Sequence, residues 1–369
     1  MTDIKGGRLG ISTGACAAGA AKAAVLLLTT GERPRMVSVT LPSGEELSLD
    51  VIVSPDGRCG VIKDAGSDID VTGGLAVMAK VALGKVAGGI VFLAGEGVGT
   101  VTLPGLKVPP GEPAINPVPR MMIESSVREV AGSRSIRVEI SIPGGEEVSP
   151  RTFNRRLGIV GGLSILGTSG RVRPMDEQSI LESLSLELNT HAARGRNIVA
   201  LTFAGVGERA TRAAWNLPEG VVVQAANEMG YALDECVSLG IVSVIVAGHP
   251  GKMLKISSGG FKTHNRVSDG RMEALCTHIA MITDSPGLVR SVYEAATTEA
   301  AIDMLDDRLS ADDLKRLWNS LAERASRRCV ERSFGALDAG AAFIRNDGRI
   351  LGASGNIGRL VERIRNIGE

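Results

Sequence analysis

The sequence has few aromatic residues and no net charge. Only 3% of its 369 residues are Phe, Trp or Tyr, and its 41 basic residues balance its 41 acidic ones. Nucleic-acid-binding proteins usually carry an excess of basic residues, and those that bind single strands also need aromatic rings for base stacking. The composition therefore argues against a nucleic acid as a partner.

The histidines and cysteines do not form metal-binding patterns. The four histidines lack HExxH spacing, and the five cysteines contain no CxxC pair. We therefore expect no metal ligands in this protein. Cys16 opens a predicted helix, but its alanine neighbours favour tight packing over an activated thiol.

Signals for export or membrane insertion are also missing from the sequence. Residues 1–10 lack the apolar region of a signal peptide, and no apolar run approaches the roughly 18 residues of a membrane span. An odd, scattered set of cysteines is typical of a reduced protein. We therefore expect a cytoplasmic protein that does not bind membranes. The sequence leaves the oligomeric state open, including a homo-oligomer.

Glycine and arginine, by contrast, are abundant, with 47 and 31 residues. The glycines lie in clusters between apolar segments, where they permit tight turns and close approach of a ligand. One glycine-rich segment carries a group of arginines: Arg151, Arg155, Arg156, Arg171 and Arg173. Guanidinium groups pair bidentately with carboxylates, so this group suits a polycarboxylate ligand. For any single arginine, a solvated surface position is the alternative.

The chain length predicts two domains, which we divide between residues 193 and 194. Residues 1–193 mix hairpin-like strands with helices, as in an α+β domain, and residues 95–119 are too rich in glycine and proline for regular structure. From residue 195 onward, apolar strands alternate with helices. This pattern predicts a Rossmann-like α/β domain over 194–369 with a mainly parallel sheet, its first strands at 197–204, 221–224 and 241–247.

The first strand of this predicted sheet leads into a glycine loop. Gly205 and Gly207 belong to a GxGxxA pattern between the strand and a helix, where the backbone can approach a ligand and the helix offers free N–H groups. Glu208 follows in the same loop. Glu228 lies about 20 residues on, where an acid could meet a ribose hydroxyl; the alternative is that it sits one turn into the following helix. We predict that these four residues bind a cofactor.

A second glycine loop follows the strand at 241–247. It contains Gly248, His249 and Lys252, and it is not a phosphate-binding Walker A loop because Met253 replaces the Ser or Thr. Its place after a strand predicts a ligand site, and a helix-starting turn is the alternative. Among the histidines, His264 lies in a loop-like stretch and is the better candidate for a functional role than His191, which falls on a predicted helix.

Several blocks of the sequence together resemble one family, the CbiD-type cobalt-precorrin-5B C1-methyltransferases. The blocks lie at 12–18, 21–24, 63–66, 70–72, 95–102, 109–120, 152–154, 158–174, 248–252 and 263–264. They span nearly the whole chain in the family's order. This chain departs from the family pattern at Ala15, Gly19 and Ile69, where threonine, alanine and proline are expected.

The resemblance implies a two-domain enzyme that transfers a methyl group from S-adenosylmethionine to C1 of a ring-contracted corrinoid. The cobalt arrives inside this substrate, cobalt-precorrin-5B, in agreement with the lack of metal-ligand patterns. We assign cofactor binding to the two glycine loops, through Gly205, Gly207, Glu208, Glu228, Gly248 and His249. We assign the corrinoid to Ser12, Thr13, Arg155, Thr168, Ser169, Arg171, Lys252 and Thr263. Any proton that is lost would pass to water or to His264.

Two alternatives remain at the level of sequence. One is a non-catalytic protein that carries a tetrapyrrole or a nucleotide on the same glycine loops. The other is an NAD-dependent reductase that uses the loop at Gly205. Turnover of S-adenosylmethionine to S-adenosylhomocysteine would distinguish both from a methyltransferase.

Overall fold

The computed structural model describes residues 8–68, 70–173 and 177–368, and it divides into two compact units, residues 1–179 and 180–369. Ile69, Pro174 and Asp176 lie outside the described residues. The predicted domain boundary between 193 and 194 lies at the far end of helix Glu177–Ala193. This helix buries Leu184 and Leu188 in the core of the second unit, which explains why the structure divides near its beginning and not at its end.

The first unit contains eleven strands, three α-helices and one short 3₁₀ helix in its described part. Its elements are β1 Gly10–Ile11, α1 Thr13–Thr30, β2 Met36–Thr40, β3 Glu46–Asp50, β4 Ile52–Val53, β5 Cys59–Ile62, β6 Ala76–Ala87, β7 Ile90–Ala94, β8 Thr100–Val101, α2 Pro117–Ala131, β9 Arg134–Ser141, α3 Gly145–Val148, β10 Ile159–Val160 and β11 Arg171–Val172. The main sheet has the order β4-β5-β6-β9-β7, with only β7 and β9 parallel. The α+β prediction is confirmed.

Helix α1 packs on β5, β6 and α2 through small side chains. Ser12 caps it by accepting from the amide of Ala15, and its residues are buried from Thr13 to Ala21. A Cβ atom on Gly19 would lie 2.6 Å from Leu49 Cδ1. The departure from the family's alanine at Gly19 therefore lets the helix lie close against the hairpin β2-β3.

Helix α1 also corrects an expectation about apolar runs. By length and composition alone this 18-residue helix could cross a membrane, so the prediction that no apolar run approaches that length is wrong. Its alanines raise the mean hydropathy without bulky side chains. Two thirds of the helix is buried inside the protein, where it forms part of the hydrophobic core of the first unit.

The second unit alternates helices with strands. Its elements are α4 Glu177–Ala193, β12 Ile198–Thr202, α5 Gly205–Trp215, β13 Val222–Gln224, α6 Met229–Ser238, β14 Ser243–Gly248, α7 Pro250–Ser257, α8 Arg271–Ala280, α9 Pro286–Tyr293, α10 Thr298–Arg308, α11 Ala311–Arg332, β15 Asp338–Ile344, β16 Ile350–Ala353 and α12 Ile357–Arg365. The sheet has the order β13-β12-β14-β15-β16, parallel except for β16. The predicted mainly parallel sheet is confirmed.

Helices cover both faces of this sheet. In β12, Ile198 and Ala200 pack with α5 and α12, whereas Val199 and Leu201 face the opposite core with α4, α6, α7 and α11. Strands buried on both faces are continuously apolar, which explains why the sequence signal for β12 and β14 was strong. The strand order is that of a doubly wound sheet whose ligand site lies between its first and third strands.

His191 gives the second unit a pH dependence. It is 3% exposed on α4, where Nε2 lies 2.7 Å from the carbonyl oxygen of Ile198, and burial lowers its pKa to about 4. In the unfolded chain His191 is protonated below about pH 6.5, whereas in the folded chain it is protonated only below about pH 4. The free energy of unfolding therefore falls as the pH decreases from about 6.5 to about 4. We expect the free energy of unfolding to fall by up to about 1.4 kcal/mol per pH unit there.

Urea unfolding at several pH values, followed by tryptophan fluorescence, measures this slope. Both tryptophans, Trp215 and Trp318, lie in the second unit, so the signal reports on the unit that contains His191. His191→Gln keeps a donor for the Ile198 carbonyl and cannot be protonated, so its profile should be flatter. An equal slope in both proteins would show that other groups cause the acid sensitivity.

Candidate functional site

The two predicted cofactor loops meet at the carboxyl edge of the parallel sheet. Strand β12 lies between β13 and β14, so the connections that leave β12 and β14 run to opposite sides of the sheet. Such a switch point opens a crevice at the ends of the two strands. The loop with Gly205 follows β12, and the loop with His249 follows β14. The fold thus brings together two loops that lie more than 40 residues apart in the chain.

Helix α5 presents an uncapped N-terminus to this crevice. Ala204 holds the N-cap position and has no side chain that could accept from the first amides of the helix. Free N–H groups and the positive end of the helix dipole favour an anionic or polar ligand. Glu208 in the first turn accepts a 2.6 Å hydrogen bond from Gln224 Nε2, at the end of β13. This bond fixes the Glu208 carboxylate beside the loop.

Thr202, the last residue of β12, is a further candidate site residue, which the sequence reasoning missed. It is fully buried, and its hydroxyl has no hydrogen-bond partner within the described ranges. A Cβ on Gly207 would lie 2.5 Å from Thr202 Oγ1. Gly207 therefore packs directly against this hydroxyl. Buried hydroxyls are rarely left unpaired, and this makes the end of β12 a candidate for contact with a further polar group. A Thr at the end of an apolar strand was the available signal.

Gly248 and Gly205, the other glycines of the two loops, differ in whether packing requires a residue without a side chain. A Cβ on Gly248 would lie 2.6 Å from the ring of Phe203, so packing alone requires glycine there. A Cβ on Gly205 would come no closer than 3.5 Å to Gln224 Nε2, which is an ordinary contact. The fold therefore does not demand glycine at 205, and only a ligand would.

His249 begins helix α7 and is held from two sides. Its Nδ1 accepts a long, 3.4 Å hydrogen bond from the amide of Gly251. Its Nε2 lies 2.9 Å from Glu299 Oε1, although the alignment is too poor for a hydrogen bond. The other oxygen of Glu299 accepts from Arg345 Nη2 at 3.0 Å. The imidazole of His249 is thereby fixed at the edge of the crevice.

Glu228 and the predicted catalytic residue His264 lie at the same edge of the sheet. Glu228 is the N-cap residue of α6, and Oε2 lies 3.8 Å from Lys262 Nζ. Glu228 therefore directly precedes α6 and does not lie one turn into it, as the alternative had it. His264 is exposed, and its Nδ1 accepts from the amide of Arg266 at 3.2 Å. This bond favours the tautomer with the proton on Nε2, so action as a base would require the bond to break.

Lys252 and Thr263 are joined through Asn227. Lys252 Nζ donates to Asn227 Oδ1 at 2.7 Å and to the carbonyl oxygen of Thr263 at 3.1 Å. Thr263 Oγ1 donates to the same Asn227 oxygen at 3.2 Å. Before Asn227 the chain turns through Ala226, a non-glycine residue with φ of +50°. A left-handed alanine is strained, and such strain is common where side chains must be aimed at a site.

The candidate substrate residues of the first unit form a second group. Ser12 caps α1, and Thr13 Oγ1 donates to the carbonyl of Leu166 at 3.2 Å and accepts from its amide at 2.9 Å. Both residues are buried, so they hold the segment 166–170 against the helix. Thr168 and Ser169 lie exposed in that segment. The fold thus brings the block at 12–18 and the block at 158–174 together.

The two candidate arginines lie in different surroundings. Arg155 is exposed on the first unit. Arg171 forms a part-buried ion pair with Glu45, and its hydrogen bond lowers the pKa of the Glu45 carboxyl. Nε of Arg171 is buried without a hydrogen-bond partner among the described residues. Arg171 is therefore already committed to the hairpin β2-β3 on one side of its guanidinium.

A buried ion pair between Lys63 and Asp70 is a further feature that the sequence reasoning missed. Lys63 is 3% exposed, and Asp70 also accepts from the amide and hydroxyl of Thr72 at 2.8 and 2.7 Å. Burial alone would raise the pKa of Asp70, but the bonds from Lys63 and Thr72 lower it. Nearby, burial raises the pKa of the Cys16 thiol to about 12, so the prediction of a packing role for Cys16 is confirmed.

Groups of His, Cys, Asp and Glu that could hold a metal ion are absent from the described ranges. A cavity of about 600 Å³ lies between the end of α8 and helix α9, and Thr283, Ser285 and Tyr293 belong to its lining. None of the candidate site residues lines that cavity. The crevice at the sheet edge, with its unpaired hydroxyl and uncapped helix, remains the better candidate for a ligand site.

Two family profiles and several relatives match this chain. The profile named CbiD matches residues 2–174, and the profile named CbiD, C-terminal domain, matches residues 262–355. A Moorella thermoacetica protein is 41% identical over 94% of each chain, and an Alkaliphilus metalliredigens protein is 38% identical over all of this chain and 98% of its own. Both are named cobalt-precorrin-5B C(1)-methyltransferase. A crystal structure of the cobalamin biosynthesis protein CbiD from Archaeoglobus fulgidus is 29% identical, covers 69% of this chain and 81% of its own, and has a TM-score of 0.39.

Proposed function

The chain belongs to the CbiD family, and on this basis we propose that it is a cobalt-precorrin-5B C(1)-methyltransferase of cobalamin biosynthesis. The observation that carries the proposal is the match at about 40% identity to enzymes of this name over almost the full length of both chains. The match to the Alkaliphilus metalliredigens protein extends over all of this chain and therefore includes the stretches that contain the two glycine loops.

We further propose that the methyl donor is S-adenosylmethionine and that the crevice of the second unit binds it. The unpaired hydroxyl of Thr202, the close approach of Gly207 to it and the uncapped N-terminus of α5 support this placement. Glu208 and Glu228 provide acceptors for hydroxyl or ammonium groups at the same edge. When bound, S-adenosylmethionine supplies an activated methyl group and is converted to S-adenosylhomocysteine.

The protein's own contribution to the reaction is mainly orientation. A methyl transfer to a ring carbon is an in-line displacement, and the conjugated macrocycle supplies the electron pair that forms the new C–C bond. Holding the two reactants in line can lower the barrier by roughly 7–11 kcal/mol. Two fixed elements suit this role, the buried strand β12 below the crevice and His249, which Glu299 and Gly251 hold in place. Any proton released from the corrinoid passes to water or to His264.

The corrinoid itself carries many carboxylate arms. In the first unit we propose Arg155, Thr168, Ser169 and Arg171 as partners for such arms, and we assign to the buried Ser12 and Thr13 the positioning of the segment that carries Thr168 and Ser169. In the second unit we propose Lys252 as a partner and the buried Thr263 as a residue that positions it. We place the protein in the cytoplasm, in accord with five free, buried cysteines.

Incubation with isotopically labelled S-adenosylmethionine and cobalt-precorrin-5B, followed by mass spectrometry, tests the activity. We expect a corrinoid product heavier by one labelled methyl group, together with S-adenosylhomocysteine. Neither a carrier protein nor an NAD-dependent reductase would produce either. A corrinoid without the added methyl group, under conditions in which a known relative forms it, would refute the proposed function.

Arg155 and Arg171 should differ in how their loss affects the protein. Arg155→Ala is expected to weaken corrinoid binding by roughly tenfold or more, since a charge-assisted pair contributes about 1.5–3 kcal/mol, while S-adenosylhomocysteine binding is unchanged. Arg171→Ala should weaken corrinoid binding and also lower the thermal midpoint, because it leaves Glu45 without its partner. Titration calorimetry with both ligands and thermal unfolding measure these effects. Glu45→Gln is the matched control: if Arg171 binds the corrinoid, this variant should shift the midpoint but keep corrinoid affinity.

A further inference from the structure

Helix α7 carries two lysines whose ammonium groups converge on one oxygen atom. Lys252 Nζ and Lys255 Nζ lie 3.1 and 3.0 Å from the carbonyl oxygen of Thr263. The two nitrogens are therefore no more than about 6 Å apart, a separation at which like charges repel measurably even near a protein surface. Lys252 also donates to Asn227 Oδ1, and Lys255 to Asn265 Oδ1 at 2.8 Å. All of these acceptors are neutral.

Neither lysine has a carboxylate within 4 Å in the described part of the chain. Lys255 is fully buried, and buried lysines are otherwise almost always paired with an acid. Burial lowers the pKa of both lysines, and the positive charge of Arg271 lowers them further. The negative charge of Asp269 acts on Lys255, but Asp269 already accepts two hydrogen bonds from the side chain of Arg271 and one from its backbone amide.

The position of Lys252 on the helix adds to this imbalance. His249 is the N-cap residue of α7, so Lys252 lies in the first turn, where the helix dipole favours anions and disfavours cations. A structural tie between α7 and the segment 261–265 would need only Lys255, which already bonds Thr263 and Asn265. Lys252 brings a second positive charge to the same oxygen. The charges of Lys255 and Arg271 and the positive end of the α7 dipole all disfavour a cation there.

We propose that Lys252 and Lys255 form a site for one carboxylate group of a ligand at the carboxyl edge of the sheet. The carboxylate accepts from the ammonium of Lys252 and neutralises the positive potential of Lys255 and Arg271. Given the proposed function, on which the choice of ligands rests, the carboxylate belongs either to the methionine part of S-adenosylmethionine or to an acetate or propionate arm of the corrinoid. Both ligands would present the same group, a carboxylate, and binding experiments distinguish between them.

Ligand titrations of the full chain distinguish the two sources. Lys252→Gln is expected to lower the affinity for one of the two carboxylate-bearing ligands by at least tenfold. If that ligand is S-adenosylhomocysteine while methylthioadenosine, which lacks the carboxylate, binds unchanged, the site holds the cofactor. If it is cobyrinic acid, with carboxylate arms, while cobinamide, with amide arms, is unaffected, the site holds the corrinoid. Lys252→Arg should retain most of the affinity, and Lys315→Gln, an exposed lysine of the same unit, should change nothing. Unchanged affinity of both carboxylate ligands for folded Lys252→Gln would overturn the proposal.

A second measurement needs no ligand and does not depend on the proposed function. If the charge of Lys252 serves ligand binding and is repelled by Lys255 and Arg271 in the free protein, Lys252→Gln should remove that repulsion. The thermal midpoint of the free protein should then rise by about 1–3 °C. A fall of several degrees would show that Lys252 is a structural tie and that the site is not one for carboxylates. A methyl-transfer assay of the unmodified enzyme, run in parallel, reports separately on the activity.

Discussion

Gly207→Val is expected to abolish measurable S-adenosylhomocysteine binding, a loss of more than about 100-fold. The valine side chain would fill the space between the first turn of α5 and Thr202, where its Cβ alone would lie 2.5 Å from Thr202 Oγ1. Because Thr202 is buried on a strand, it can yield only by rotating its hydroxyl away from the crevice. We expect a moderate cost in stability as well, about 1–3 kcal/mol, as is usual for overpacking.

Two further variants separate loss of binding from loss of stability. Thr202→Val removes the hydroxyl without changing the volume, so it should leave the midpoint unchanged or higher, because that hydroxyl has no partner among the described residues, and yet weaken binding. Gly205→Ala controls for stability, since a Cβ there meets only ordinary contacts. Isothermal titration calorimetry and thermal unfolding decide the outcome. If a stable Gly207→Val protein still binds S-adenosylhomocysteine fully, the proposed cofactor site is wrong at this loop, and the loop at Gly248 becomes the candidate.

Gly97→Ala is expected to unfold the first unit or to lower its free energy of unfolding by more than about 3 kcal/mol. Gly97 has φ of +70°, and an added Cβ would overlap the carbonyl oxygen of Ile142. Its own carbonyl accepts from the amide of Leu163 at 2.8 Å, so the backbone cannot move away without breaking that bond. The left-handed conformation alone costs an alanine about 1–2 kcal/mol.

Gly161→Ala is the matched control for this prediction. Gly161 also has a positive φ, +83°, but nothing lies within 4 Å of an added Cβ. It should therefore show only the conformational cost. Calorimetry reports on both units, whereas tryptophan fluorescence reports on the second unit, which contains both tryptophans. Equal shifts in the two variants would show that close approach at Gly97 is unimportant.

The glycine-rich blocks show where sequence reasoning reached its limit. Their density predicted close backbone approach, and the structure confirms it at Gly97, Gly145 and Gly162, whose backbones lie against one another. Sequence alone could not tell approach to a ligand from approach to another segment of the same chain. The segment 95–119 was also expected to lack regular structure, yet it contains β8 and the first turn of α2, because Pro117 suits the start of a helix.

The prediction of secondary structure from sequence failed where the tertiary environment changes along a strand or helix. Strand β6, Ala76–Ala87, was not predicted, because only its first half is buried and its apolar alternation fades toward Gly84 and Lys85. Pairing with β9 maintains it. The sequence from 287 to 305 suits one continuous helix, but the structure has α9 and α10, because Thr297 caps a new helix by accepting from the amide of Ala300.

The sequence by itself determined the fold class, the doubly buried strands of the second unit and the family. These rest on signals carried by contiguous residues: apolar runs, helix caps and irregular motif blocks. The tertiary structure decided which loops share an edge, because strand order depends on pairing between residues far apart in the chain. It also decided which polar groups lack partners. The unpaired hydroxyl of Thr202 and the uncompensated charges of Lys252 and Lys255 exist only relative to neighbours that the fold brings, or does not bring, within bonding distance in the described part of the chain.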